Sequence, residues 1–381
     1  MTNNKKIAID LSFIDYFGHG EEVKVSSLTI FITEILNSIT KLNKAENFIL
    51  LCRFPDINFI KGEFPGYEVI AIKPFVSTLI YKISNGKKLG GKFFWKDRYY
   101  KNIVKNNNIS AVWFPFANHK NFIPAEIGAV KILTVHDIVT YHSGDAKKFF
   151  DRVFSDKTNK FIAVSEYTRK DIENTLNYTN SIVIPPPITL DLYRTKKIES
   201  ITGKYILDIN SYTKRKNNIT LLKAFNLIKE KTSLDLVFCG GQKDSLVYNE
   251  LLEFLKENHL EPRVKFFYAI PEDEKNWLML NASIFVNPST FEGFGRTPVD
   301  AAICKIPVIS SKATSLYEAT MGLVNYYENP TDSSELAEKI MEVISNPKSE
   351  EELNSISEQL IDAYSPESVA VKYMKIFQEY L

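Results

Sequence analysis

The chain has 381 residues, enough for two domains of ordinary size, and a formal net charge of +1, which excludes general polyanion binding by the whole molecule. Its 44% hydrophobic and 24% charged fractions are those of a soluble globular protein, and no run is long enough for a membrane span. Cys52, Cys239 and Cys304 are scattered in or beside apolar runs and read as reduced core thiols of a cytoplasmic protein.

The start is polar over Met1 to Lys6, and the apolar run after it is too short for a signal peptide. Residues 7–10 predict a first strand, followed by a loop holding Gly18 and Gly20. Leu28, Phe31, Ile32, Ile35 and Leu36 give the spacing of a helix over about 26–43. Strands are expected at 48–52 and 67–72. Residues 83–108 are the most lopsided stretch, interleaving Lys87, Lys88, Lys92, Lys96, Arg98, Lys101 and Lys105 with Phe93, Phe94, Trp95, Tyr99 and Tyr100. That mixture fits an anionic membrane surface or a lipid-diphosphate acceptor. It would also fit single-stranded nucleic acid, or a solvated helix whose aromatics face the core.

Strands at 111–114 and 130–135 come next, the second running into His136-Asp137. A His just past a strand's carboxyl end lies where ligands bind in α/β sheets; the plainer reading is a structural His held by Asp137. Residues 160–164 form another strand, and Ser165 caps a helix. After 181–184, Pro185, Pro186 and Pro187 end regular structure and mark a linker. No metal-ligand cluster forms among His19, His119, His136, His142 and His259.

The α/β alternation then restarts. A strand at 205–209 leads through a polar loop to Arg215-Lys216-Asn217 and a helix with Leu221, Leu222, Ala224, Phe225 and Ile228 on one face. Basic residues where a loop enters a helix can neutralise a diphosphate. Strands follow at 234–238, closed by Gly240-Gly241, and at 264–268, followed by Ala269-Ile270; Glu272, Asp273 and Glu274 fill a helix's first turn. Residues 284–286 are a strand. The loop after it carries Glu292, Gly293, Phe294 and Gly295, and Thr297-Pro298-Val299-Asp300 reads as a capped helix start. A glycine loop feeding a helix N-terminus suits phosphate, and carboxylates suit sugar hydroxyls. Together they point to a nucleotide sugar. Helices at 332–344, 350–363 and, past Tyr364-Ser365-Pro366, 367–380 complete the chain.

The 287–318 stretch resembles the E-x7-E signature of the family-four retaining glycosyltransferases, here with Asp300 as the second acid. RKNNITLLKAF is similar to the family's RKN segment, TVHDIV to its HD motif, and FIAVSEYTRKDI to a further family run. The resemblance implies the GT-B fold: two Rossmann-like α/β domains with parallel sheets facing across a cleft. It assigns 1–184 to the acceptor side, with 365–381 crossing back, 185–200 to the linker, and 201–364 to the nucleotide-sugar domain. Glu292 would hold the sugar hydroxyls, Lys216 and Arg215 the phosphates, and Asp300 the ribose. The main chain of Gly293, Phe294 and Gly295 would face the diphosphate, and Ile270 the base. His136 would border the donor sugar or acceptor, and Gly18-His19-Gly20 is the candidate for the family's first glycine loop. Asn210 stands where many relatives have Arg, and Arg296 is a candidate substitute for that charge.

The implied activity is retaining, metal-independent hexosyl transfer from a donor such as GDP-mannose or a UDP-sugar. The acceptor would be a glycan or lipid-linked glycan of bacterial surface polysaccharide. A peripheral contact at the inner membrane face through 83–108 is included, with Lys87, Lys88 and Lys92 as its first residues, and no nucleic acid. Two alternatives stay open: a catalytically silent homologue that binds glycan or a partner enzyme, motivated by Asn210 and Asp300, and a sugar-nucleotide epimerase.

Overall fold

The computed structural model describes residues 5–13, 27–53, 56–72, 94–117, 123–190, 194–241 and 244–381. The Gly18-His19-Gly20 loop and Lys87, Lys88 and Lys92 lie outside these residues. The chain divides into two compact units, 1–187 with 366–381, and 188–365.

Among the described residues, the first unit is a seven-stranded sheet: β1 (Lys6–Asp10), β2 (Phe48–Arg53), β3 (Glu68–Ile72), β4 (Ile109–Phe114), β5 (Val130–Val135), β6 (Lys160–Ala163) and β7 (Ile182–Val183). The order is β3-β2-β1-β4-β5-β6-β7, and every pairing is parallel. Parallel strands need long crossovers, so helices cover both faces and the strands read as nearly unbroken apolar runs. The helix Ser27–Lys41 lays Phe31, Ile32, Ile35, Leu36 and Ile39 into one core. Val369, Tyr373 and Phe377 of the helix Pro366–Gln378 share that core. Trp113, fully buried there, donates from its indole nitrogen to Thr134 Oγ1 at 3.0 Å, with its ring 4.8 Å from that of Tyr373. Each such large side chain contributes about 1.5–3 kcal/mol by leaving water.

The described residues of the second unit form six strands: β8 (Tyr205–Ile209), β9 (Asp235–Gly240), β10 (Val264–Tyr268), β11 (Ile284–Asn287), β12 (Val308–Ser311) and β13 (Asn325–Tyr327). Their order is β10-β9-β8-β11-β12-β13, again all parallel. The helices Asn218–Ile228 and Ser333–Ser345 pack together on one face through Leu221, Phe225, Leu336 and Ile340. In each sheet the order reverses once, between β1 and β4 and between β8 and β11. The carboxyl ends flanking such a reversal leave a crevice where α/β sheets bind ligands.

One sequence expectation changes. The helix after β11 runs Arg296–Ile303, so it starts before Thr297, and its N-cap is Gly295 at φ 93° with no side-chain cap. A Cβ there would lie 2.5 Å from Leu316 Cδ2, so glycine is required by both the backbone and the space. In the basic stretch, the helix Phe94–Asn106 turns its described aromatics inward. Tyr99 donates to the Ala71 carbonyl at 3.1 Å and Tyr100 to buried Asp10, while Lys101 pairs with Glu126 at 2.7 Å. Among the described residues, no helix is long and apolar enough to cross a membrane.

Candidate active site

The best-formed polar site lies at the reversal point of the second sheet. Two segments build it: the turn after β8 and the loop after β11. The turn folds into a single 3-10 turn, Lys214–Lys216, and Asn217 takes the left-handed conformation at φ 55° before the helix Asn218–Ile228. Asparagine tolerates that conformation better than most residues. Its amide nitrogen donates to the carbonyls of Pro288 at 3.0 Å and Pro330 at 2.6 Å. Thr290 adds a backbone bond to the Arg215 carbonyl at 2.8 Å and a hydroxyl bond to it at 3.1 Å. The two segments are therefore fastened through main chain, independently of the charges they carry.

Those charges converge on Glu292, which is 7% exposed. Lys216 Nζ bonds one carboxylate oxygen and Arg215 Nη1 reaches the other at 3.1 Å. The loop carrying Glu292 is held from beneath. Its backbone N–H donates to Thr314 Oγ1 at 2.9 Å, and the Ser315 hydroxyl lies 2.9 Å from the carbonyls of both Glu292 and Phe294. Ser311 Oγ donates to the Ser289 carbonyl at 2.6 Å. A buried carboxylate answered by two cations makes charge-assisted hydrogen bonds, and losing either cation would leave its charge less well compensated. It also brings together two cations that an anionic ligand could take over.

The remaining expected site residues are placed as follows. Arg296 approaches Asp300 at 3.4 Å and donates to the Thr189 carbonyl at 3.0 Å. Burial pushes the Asp300 carboxyl up to about 6, against the opposing pull of Arg296. Phe294 turns its ring inward, edge-on to Tyr364 at 5.3 Å, so only its main chain serves the loop. Ile270 is partly buried just after β10, beside Ala269, whose N–H donates to the Gly240 carbonyl at 2.8 Å. Asn210 is buried and donates to Asp208 at 2.5 Å.

Asp208 itself, fully buried within the apolar strand β8, was not singled out from sequence. It also accepts from Asn218 at 2.7 Å. Burial raises its carboxyl to about 7, with Asn210, Asn218 and Lys216 pulling the other way. The signal was present: a lone carboxylate in YILDI has no place in an apolar strand unless its partners lie close. Thr314 and Ser315 gave no comparable signal, because their partners are more than twenty residues away.

His136 belongs to the first unit, just past β5. Its Nε2 lies 3.1 Å from the Pro115 carbonyl, which only accepts, so Nε2 carries a proton. Its ring is edge-on to Phe31 at 5.2 Å and Phe116 at 5.3 Å, and burial lowers its basicity. Asp137 does not hold the ring; its Oδ1 accepts from the Val139 N–H at 3.1 Å. Among the described residues, no group of three or more His, Cys, Asp or Glu could hold a metal.

Two doubly wound parallel sheets, with a cationic turn and a glycine-ended loop meeting at the second reversal point, are the architecture of the GT-B fold. More narrowly, residues 192–360 match the family described as "Glycosyl transferases group 1". It is 25% identical over 348 residues to an uncharacterised glycosyltransferase of Methanocaldococcus jannaschii, covering 87% of this chain and 92% of the relative. It is 25% identical to the O-antigen chain mannosyltransferase B of Escherichia coli, covering 55% of this chain and 60% of the relative. The chain thus spans under two thirds of that mannosyltransferase. Among solved structures it shares the fold of the Anabaena protein HepE in complex with UDP and glucose, with a TM-score of 0.69, 15% identity, and coverage of 98% and 100%.

Proposed function

We propose that the protein transfers a hexosyl unit, with retention, from a nucleoside-diphosphate sugar to a glycan or lipid-linked glycan in surface-polysaccharide synthesis. The convergence of Lys216 and Arg215 on Glu292 at the second sheet's reversal point carries this reading. Glycosyl transfer from such a donor breaks the bond between the anomeric carbon and a phosphate oxygen. Charge develops on the departing diphosphate, and fixed cations and main-chain dipoles are the means of stabilising it. Lys216, Arg215 and the N-terminus of the helix Arg296–Ile303 supply them, with no resident metal in this reading. Glu292 takes the sugar hydroxyls, Asp300 the ribose, and the main chain of Ala269 and Ile270 the base. The acceptor oxygen bonds the anomeric carbon on the face the phosphate leaves, and its proton passes to that phosphate. His136, neutral in its aromatic setting, lines the acceptor side. HepE's UDP and the mannosyltransferase relative support a UDP-sugar or a mannose donor such as GDP-mannose.

A thermal-shift screen with GDP, UDP, ADP and their sugars tests the reading. A matching nucleotide at about a hundred times its dissociation constant stabilises the fold by roughly 2.7 kcal/mol. No shift with any of them would defeat it, as would a product linkage of opposite anomeric sense. For a lipid-linked acceptor, residues 83–108 are our candidate for peripheral contact with the inner membrane face. Neutralising Lys87, Lys88 and Lys92 should weaken liposome sedimentation, and unchanged sedimentation would contradict that contact.

A further inference from the structure

We propose that Asp208 is the positioning residue of the donor turn: its buried carboxylate ties the two ends of the 210–218 segment together, and its charge sets how strongly that turn attracts a diphosphate. The inference rests on the donor site described above and deepens it. Asp208 accepts from Asn210 at the start of the segment, at 2.5 Å, and from Asn218 at its end, at 2.7 Å. Between those two anchors lie Arg215 and Lys216. All three members of the clamp are buried, Asp208 and Asn218 completely.

The clamp works alongside the main-chain bonds of the turn. Asn210 N–H donates to the Cys239 carbonyl at 3.0 Å, and a Cβ at Gly240 would sit 2.4 Å from the Asn210 carbonyl oxygen. The start of the turn is thus pinned against β9. Its end is pinned through Asn217 to Pro288 and Pro330. Asp208 joins the two pinned ends to each other, while Thr290 and Asp244 hold the span between them at the Arg215 and Tyr212 carbonyls. A carboxylate with two amide donors is the group that can accept from both at once.

The charge matters because of what surrounds it. Lys216 and Glu292 face Asp208 from the turn and the loop, and Tyr212, Cys239 and Tyr327 face it from the turn, β9 and β13. With Glu292 and Asp208 both ionised, the charges of Arg215 and Lys216 are matched and only the exposed Lys214 of the same turn is left in excess. A neutral Asp208 adds one further net positive charge. Burial has already raised its carboxyl to about 7, so neutral pH is where the change falls. A bound diphosphate disfavours the ionised form, so binding takes up a proton, and affinity falls as pH rises through about 7.

The isosteric variant separates the two roles. The Oδ1 atoms of Asn210 and Asn218 have no hydrogen-bond partner, so either amide can flip to accept from an amide at 208. Asp208→Asn therefore keeps the clamp and loses the charge; Asp208→Ala loses both. The dissociation constant of the best-binding nucleoside diphosphate should be measured from pH 6 to 8.5 in all three proteins. Amide hydrogen exchange over 210–218 should be followed without nucleotide. The wild type should weaken severalfold across the range while Asp208→Asn stays flat and binds at least as tightly at pH 8. Asp208→Ala should bind about tenfold more weakly and exchange faster over 210–218 alone. Unchanged exchange and affinity in Asp208→Ala would overturn the positioning role. A pH slope persisting in Asp208→Asn would overturn the electrostatic one. If wild type binds no nucleoside diphosphate, the donor reading itself fails, whereas exchange still reports the clamp.

Discussion

Both sheets close their first strand near a reversal point with a buried aspartate, yet the two ends hold opposite chemistry. In the first unit Asp10 accepts from the Ser12 N–H at 2.7 Å and from the hydroxyl of Tyr100, and nearby β5 ends in an uncharged histidine among aromatic rings. In the second unit Asp208 accepts from two amides beneath a turn whose cations meet Glu292. The same winding makes a crevice in both, and what each crevice can bind is decided by side chains. A hydrogen-bonded, aromatic-lined end suits a neutral polyol, and a cationic, main-chain-braced end suits a diphosphate.

The largest test of this contrast is removal of the lysine. Lys216→Ala should lower kcat/KM by about 10²–10³-fold, the usual cost of one transition-state charge stabiliser. A loss below tenfold would break the assignment of the second crevice to the leaving group. Next, Gly295→Ala puts a Cβ into Leu316 at a positive φ, and should cost about 1–3 kcal/mol in denaturant unfolding while displacing the Glu292 loop. An unaltered midpoint would show that the loop is looser than its hydrogen bonds imply.

Glu292→Gln separates ground-state binding from turnover. It frees Lys216 and Arg215 for phosphate, so free nucleoside diphosphate should bind about tenfold more tightly, worth about 1.4 kcal/mol, while transfer falls. Weaker nucleotide binding would mean that Glu292 holds the cations in place rather than competing for them. The smallest effects belong to Asp300. A carboxyl near 6 accepts best when ionised, so its contact with ribose should strengthen as pH rises through about 6. Combined with the opposite slope expected from Asp208, wild-type donor affinity should peak between the two values. Asp300→Asn should flatten the acid limb severalfold or less, and an acid limb unchanged in that variant would place the ribose elsewhere.

Much of the second unit was legible in the sequence because its signals are local. The apolar run 284–286, the proline stop at 307 and the amphipathic spacing from Leu221 to Ile228 each specify an element within a few residues. The helix start after β11 was misplaced for the same reason: Thr297-Pro298-Val299-Asp300 satisfies the local capping pattern. The true start is set by Gly295, whose φ of 93° is imposed by a loop anchored to Thr314 and Ser315. Such anchors depend on two strands lying side by side, which no local pattern records. Asp208 differs: its signal is local, a lone carboxylate in an apolar strand with one donor two residues on, and only its second donor, Asn218, lies beyond the turn. His136 was legible in position, but its partner is the Pro115 carbonyl rather than Asp137.

The central claim is that the second unit grips a pyrophosphate through Lys216 and Arg215. Isothermal titration of the matching nucleoside diphosphate into wild type and Lys216→Ala, at matched pH and salt, tests it most directly. The account predicts a loss of at least about tenfold in affinity, or about 1.4 kcal/mol, together with a shallower salt dependence. Equal affinity in the two proteins would contradict it.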